Sequence, residues 1–293
     1  MPNCLVTGGS KNDTAPIAVL LLNVAKTQHW IDHVVVYHDG ISEKQQTLMQ
    51  SILPVEFIRY QFPGSKRNFN EIVRYVYTEM VFCKYECLKL LERFDNVVWT
   101  DYDVVFQRDV KELLDFRDGS SGWKSFISDG EKYESFGEQI KFYAREGLSA
   151  YCPLDKPTLS TGLMVLSKSK FSQPSKIYEK CIAYTEKFGG LLVLPEQAIL
   201  DMVLHQENIV PEAISWKYAT LPTGDPSDAE APILHAISQP KFWNGRKNHD
   251  WEQNYAEWLQ MGGVKWKPAS KFSWKEIGKR LRFLKGRILY KRK

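Results

Sequence analysis

The sequence predicts an α/β fold in which a mainly parallel sheet is flanked by helices. Three observations carry that expectation. Short β-branched runs alternate with helix-length segments from the N-terminus to residue 114. The run Asn96-Val97-Val98-Trp99-Thr100 is apolar throughout, as a strand covered on both faces must be. It ends in Asp101-Tyr102-Asp103, and ligands of open α/β sheets bind beyond the carboxyl ends of the strands.

Taken in order, Leu5-Val6-Thr7 is the first strand. Gly8-Gly9-Ser10 turns the chain, and Ala15 to Gln28 is a helix. Val34 to Tyr37 is a strand, Glu43 to Ser51 a helix, and Glu56 to Tyr60 a strand. Asn70 to Leu91 reads as one long helical stretch. The Asp101 strand and a short helix to Leu114 follow. Lys124 to Asp129 reads as another strand ending in a carboxylate. Residues 130–157 lack periodicity and read as a loop or lid with a little helix. Leu163 to Leu166 is a buried strand, and helices are expected near Ser175 to Phe188 and Glu196 to His205. Pro222 to Pro232, with three prolines, is a loop before the strand Ile233-Leu234-His235.

The 293 residues are 43% hydrophobic and 25% charged, the balance of a soluble globular chain. They divide into one large domain, 1–262, and a basic tail, 263–293. No apolar run reaches the roughly 18 residues of a membrane span, and the N-terminus lacks a signal-peptide layout. Five cysteines, without Cys-x-x-Cys, argue for free thiols in a reducing cytoplasm over disulfides or structural zinc. There is no G-x-G-x-x-G, Walker lysine loop, G-x-S-x-G elbow or H-E-x-x-H helix.

Charge is uneven. Ser270 to Lys293 holds ten Lys or Arg against one acid, Glu276, so it carries +9 of a net +4 and the rest carries −5. Trp274, Ile277, Leu281, Leu284 and Ile288 form one apolar helical stripe within it, with basic residues off the stripe. A basic amphipathic helix suits an anionic membrane surface, so peripheral attachment on the cytoplasmic face is expected, and nucleic acid is not. A helix packed on the domain with a solvated basic face is the alternative.

Two carboxylates at a strand end suit a divalent cation, and such an ion suits a diphosphate. Five blocks in order carry a wider resemblance: Phe82-Cys83-Lys84-Tyr85, with Asp101 17 residues after Lys84; Phe126-Ile127-Ser128-Asp129; Ser160-Thr161-Gly162 leading into Leu163 to Leu166; Pro195-Glu196-Gln197-Ala198; and His235 through Lys241 to Asn244. Over roughly residues 3–260 the chain resembles glycosyltransferase family 8. The resemblance implies a GT-A fold and a retaining transferase that uses a nucleotide sugar, usually UDP-linked, with Mn²⁺ or, failing that, Mg²⁺. It implies a glycan or lipid-linked acceptor, such as a bacterial surface glycan.

It also implies roles. Asp101, Asp103 and His235 would be the metal ligands, and an imidazole among carboxylates suits Mn²⁺ better than Mg²⁺. Thr7, Lys84, Ser160, Gly162, Ser238 and Lys241 would bind the donor. Asp129, Glu196 and Gln197 would face the transferred sugar. Ser160 stands where the family has Asn, Glu196 where it has Asp, and Ser238 where it has Gly. The Tyr that stacks on uracil has no counterpart around Asn12 to Ala15. For a double displacement Gln197 is a poor nucleophile and Glu196 or Asp129 a better one; the expectation is a front-face route with the departing phosphate oxygen as base. A nucleotide-sugar hydrolase or pyrophosphorylase, or a non-catalytic membrane-bound scaffold, would share much of this pattern.

Overall fold

A computed structural model describes residues 2–69, 73–74, 78–128, 135–223, 226–237 and 239–268. Ten strands are described: β1 (Asn3–Gly9), β2 (His33–His38), β3 (Val55–Arg59), β4 (Asn96–Thr100), β5 (Val104–Phe106), β6 (Trp123–Ile127), β7 (Leu159–Ser167), β8 (Glu212–Ala213), β9 (Ala219–Thr220) and β10 (Ile233–His235). The helices are α1 (Thr14–Thr27), α2 (Glu43–Gln50), α3 (Glu86–Leu90), α4 (Arg145–Leu148), α5 (Pro174–Phe188), α6 (Pro195–Gln206) and α7 (His249–Gln260).

Seven strands form the main sheet in the order β3-β2-β1-β4-β7-β6-β8. All run parallel except β7, which is antiparallel to both β4 and β6. The expected mainly parallel α/β sheet is therefore present, with one reversed strand beside β4. Alternation assigns the two faces. Cys4, Val6, Val97, Trp99, Met164 and Leu166 enter one core with α3, α5 and α6. Leu5, Val98, Leu163 and Val165 enter the other with α1 and Trp258 of α7. Strands buried on both faces read as continuous apolar runs, which is why β4 and β7 stand out in the sequence.

Three departures follow from local chemistry. Of the long helix expected over 70–91, the part from 79 onward is a 3₁₀ segment, Glu79–Tyr85, running into the short α3. Thr78 adopts φ 59 and its hydroxyl accepts from the Met80 amide, a cap that starts a new segment there. The helix near Leu114 is a 3₁₀ turn, Lys111–Leu114. The strand at Leu163 begins earlier, at Leu159, and spans nine residues.

A second sheet, β5-β10-β9, sits beside the first. Its place is set by α1, which is buried from Thr14 to Val24. Asn23, a lone amide in that apolar helix, donates to Phe106 O at 3.0 Å and accepts from Phe106 N at 2.7 Å. A buried amide that satisfies both backbone groups of one residue fixes β5 in place and leaves neither unpaired. Val19, Val105, Leu234 and Trp251 pack together behind it. Among the described residues no helix is long and apolar enough to cross a membrane. The five cysteines are free and buried.

Candidate functional site

Two strand pairings build the site. In the main sheet Thr100 lies opposite Leu163, and the Asp101 amide continues the ladder by donating to Gly162 O at 2.9 Å. In the small sheet His235 lies opposite Val104, and the Ala236 amide donates to Asp103 O at 2.9 Å. The turn at Asp101-Tyr102-Asp103 joins the two sheets, so Asp103 and His235, 132 positions apart in sequence, meet there.

His235 Nε2 is 3.2 Å from Asp103 Oδ1 and 3.9 Å from Asp101 Oδ2. One ligand atom from each of the three residues lies within 4.8 Å of the others. The donor set, two carboxylates and an imidazole, is chemically suited to a divalent first-row cation. Gly162 makes room for it: a Cβ there would come 2.3 Å from His235 Cε1. That glycine is required by the imidazole rather than by backbone strain.

Each carboxylate is held by its outer oxygen. Asp101 Oδ1 accepts from Trp99 Nε1 at 3.0 Å and pairs with Lys84 Nζ at 3.0 Å, which leaves Oδ2 toward His235. Asp103 Oδ2 takes Lys241 Nζ, which also donates to Ala236 O and to Ile237 O. Such outer partners orient metal-binding groups. Burial alone would raise the Asp103 carboxyl, but His235 and Lys241 outweigh it and hold it well below the usual carboxylate range. Burial alone would lower the Lys84 ammonium, and Asp101 and Glu196 outweigh that and raise it. Lys84 is enclosed, 8% exposed, and links Asp101 to Glu196 at 3.6 Å. Tyr102, between the two aspartates, packs against Trp243 with ring centroids 5.6 Å apart.

Glu196 and Gln197 stand in the first turn of α6, entered through Pro195. Glu196 Oε1 accepts from Thr161 Oγ1 at 3.1 Å, and Gln197 Nε2 donates to Thr158 Oγ1 at 3.2 Å. Ser160 lies between them on β7, its hydroxyl accepting from Gly162 N at 3.3 Å. The structure thus gathers Lys84, Asp101, Asp103, Gly162, Glu196, His235 and Lys241 into one contact network. It does not bring Thr7 into that network: the Thr7 hydroxyl is fully enclosed, without a hydrogen-bond partner. Asp129 and Ser238 lie outside the described residues, as does the tail from 269.

Sequence reasoning gave no role to Trp99, Thr158, Thr161 or Asn23. Trp99 had a readable signal, since a side chain two residues before Asp101 on a strand shares its face. Thr158 and Thr161 had none, because their partners on α6 are supplied by tertiary packing.

The sequence model of the family described as Glycosyl transferase family 8 matches residues 22–247. No curated protein sequence matches the chain. Among solved structures, one of LgtC, described as a galactosyltransferase in complex with donor and acceptor sugar analogs, superposes with a TM-score of 0.60. It is 15% identical, over 93% of this chain and 99% of that one. The apo form of the glycosyltransferase GlyE from Streptococcus pneumoniae TIGR4 gives 0.59 at 16% identity, over 93% of this chain and 66% of that one. The bifunctional glycosyltransferase WbbM gives 0.63 at 14% identity, over 89% of this chain and 51% of that one. The chain therefore spans about half of WbbM and about two thirds of GlyE.

Proposed function

This chain belongs to glycosyl transferase family 8, and from that premise we propose that it is a glycosyltransferase, which carries out a metal-dependent, retaining transfer of a hexose from a nucleoside diphosphate sugar, a UDP-sugar, to a hydroxyl of a glycan or glycolipid. The observation that carries the proposal is the Asp101, Asp103 and His235 cluster, flanked by two ammonium groups at the strand ends.

Asp101, Asp103 and His235 would hold the cation, Mn²⁺ before Mg²⁺ because of the imidazole. When bound, it would offset the charge that grows on the diphosphate as the glycosidic bond breaks. Lys241 sits beside the cluster and offers a compact positive charge to a phosphate oxygen. Lys84 is held by Asp101, Glu196 and Thr161, so its work is to fix those groups and to offset part of their negative charge. Gln197 and, from the sequence pattern, Asp129 face the sugar and stabilise an oxocarbenium-like state.

Glu196 bears on the stereochemical course. Its carboxylate is engaged by Thr161 and Lys84. Both contacts fall on Oε1, and the neighbouring Gln197 is a poor nucleophile. We favour the front-face route: the acceptor oxygen bonds to the anomeric carbon on the side the phosphate leaves, and its proton passes to the departing phosphate oxygen. A covalent glycosyl adduct trapped on Glu196 or Asp129 of the unaltered chain would overturn this.

The tail from 270, by its charge and apolar stripe, would bring the enzyme to an anionic membrane surface and so to a lipid-linked acceptor. The functional proposal is tested by thermal unfolding against a panel of nucleotide sugars with Mn²⁺ and with EDTA. A ligand well above its Kd should stabilise by about 2–4 kcal/mol. Stabilisation by a UDP-sugar in Mn²⁺ alone supports the reading. Equal stabilisation in EDTA removes the metal from it, and release of free sugar regardless of any acceptor favours a hydrolase.

A further inference from the structure

Behind Gln197 lies a buried polar group that the proposed reaction does not use. Asp201 is one turn beyond Gln197 on α6, 1% exposed, and its Oδ2 accepts from Thr158 Oγ1 at 2.5 Å. Its Oδ1 is 3.4 Å from Leu159 N and 3.6 Å from Lys156 Nζ. The same Thr158 hydroxyl receives Gln197 Nε2 at 3.2 Å and Gln139 Nε2.

A hydroxyl has one proton and two lone pairs. The two carboxamide donors fill the lone pairs. The proton has two acceptors in reach, Asp201 Oδ2 and, at 3.2 Å, Leu159 O. The shorter, charge-assisted bond to the carboxylate prevails. Turning the Gln197 amide over would place its carbonyl against Thr158 and demand the same proton. Asp201 Oδ2 would then face an oxygen lone pair 2.5 Å away in a buried site. With Asp201 ionised, the arrangement admits one orientation: Gln197 Nε2 inward, Oε1 outward. Gln197 is 9% exposed, and its Oε1 has no hydrogen-bond partner among the described residues.

We propose that Asp201 is a positioning residue, which acts through the Thr158 hydroxyl to hold the carbonyl oxygen of Gln197 toward the cleft, where it meets an electron-poor sugar carbon. The proposal deepens the glycosyltransferase reading and rests on Gln197 facing the transferred sugar. The titratable groups that face Asp201 are Lys156 and the Cys152 thiol; burial pushes the latter up to about 12, so it stays neutral.

The test uses the full chain labelled with ¹⁵N-glutamine, with the Gln197 side-chain signal identified by its loss in Gln197→Leu. In the unaltered protein the Gln197 carboxamide protons should be shifted by their hydrogen bond and protected from exchange. Thr158→Val and Asp201→Asn should both move that signal and speed its exchange, while Thr158→Ser restores it. In parallel, UDP release from UDP-galactose and UDP-glucose is followed in Mn²⁺. A kcat about 10-fold lower in Thr158→Val and Asp201→Asn, with KM within about twofold and recovery in Thr158→Ser, is expected of a positioning role. Circular dichroism confirms that each variant is folded. A Gln197 signal indifferent to both variants in folded protein overturns the proposal. A signal that responds while turnover does not leaves the orientation standing and removes Gln197 from catalysis.

Discussion

Replacing Gly162 with Ala adds one methyl group at the point where β7 meets the imidazole. The new Cβ would lie 2.3 Å from His235 Cε1 and 3.1 Å from Nδ1. Ordinary carbon contacts are about 3.5–4.0 Å, so the ring must retreat by about 1.2 Å or more. Neither backbone has slack. Gly162 O accepts from Asp101 N, and His235 is laddered to Val104. Metal–ligand distances tolerate about 0.2 Å, so His235 would leave the ligand set. Displacing one ligand or its support should weaken Mn²⁺ binding about 10–100-fold, or about 1.4–2.7 kcal/mol. The overpacking itself should cost a further 1–3 kcal/mol of stability, roughly. Mn²⁺ titration followed by EPR in the presence of UDP reads the first quantity, and thermal unfolding the second. Gly147→Ala, where an added Cβ meets nothing within 4 Å, is the control. A folded Gly162→Ala protein that binds Mn²⁺ within about twofold of the unaltered chain would refute the assignment of His235.

Three other perturbations separate the parts of the account. Lys84→Met leaves the Asp101 and Glu196 carboxylates without their shared ammonium, and breaking a buried pair costs about 3–5 kcal/mol, read by urea unfolding; an unchanged midpoint would show that Lys84 carries no structural charge. Burial raises Asp201 from 3.8 to about 6, so its contribution to stability is complete below its unfolded value and lost as pH rises through about 6. Asp201→Asn should therefore gain on the unaltered protein between pH 4.5 and pH 7.5 in unfolding experiments, and parallel profiles would contradict it. Reversing Lys279, Arg282 and Lys285 to Glu in the full chain should abolish co-sedimentation with anionic vesicles, and undiminished sedimentation would remove the membrane role of the tail.

Much of this site was legible because strands end where ligands bind. β4 announced itself as a continuous apolar run, and its end placed Asp101 and Asp103 at the sheet's carboxyl edge. His235 and Lys241 were legible through their spacing and their likeness to the family pattern. What the sequence did not reveal is what only a neighbour can supply. The reversal of β7 depends on its partners, since a strand buried on both faces reads the same in either direction. Asn23 looked like a tolerated amide in an apolar helix until β5 was seen against it. Thr158 and Asp201 are a threonine before a strand and an acid within a helix, and neither position hints that one hydroxyl joins them. The break at Thr78 lay in a stretch whose composition favoured helix throughout.

The central claim is that Asp101, Asp103 and His235 hold a cation without which the diphosphate sugar is not used. The most direct measurement is UDP release from a UDP-sugar panel, with Mn²⁺ and with EDTA, in the unaltered chain and in His235→Ala. Turnover of at least one donor in Mn²⁺, loss in EDTA, and a loss of the same order in folded His235→Ala are expected. Turnover that persists in EDTA, or a His235→Ala protein as active as the unaltered chain, would contradict it.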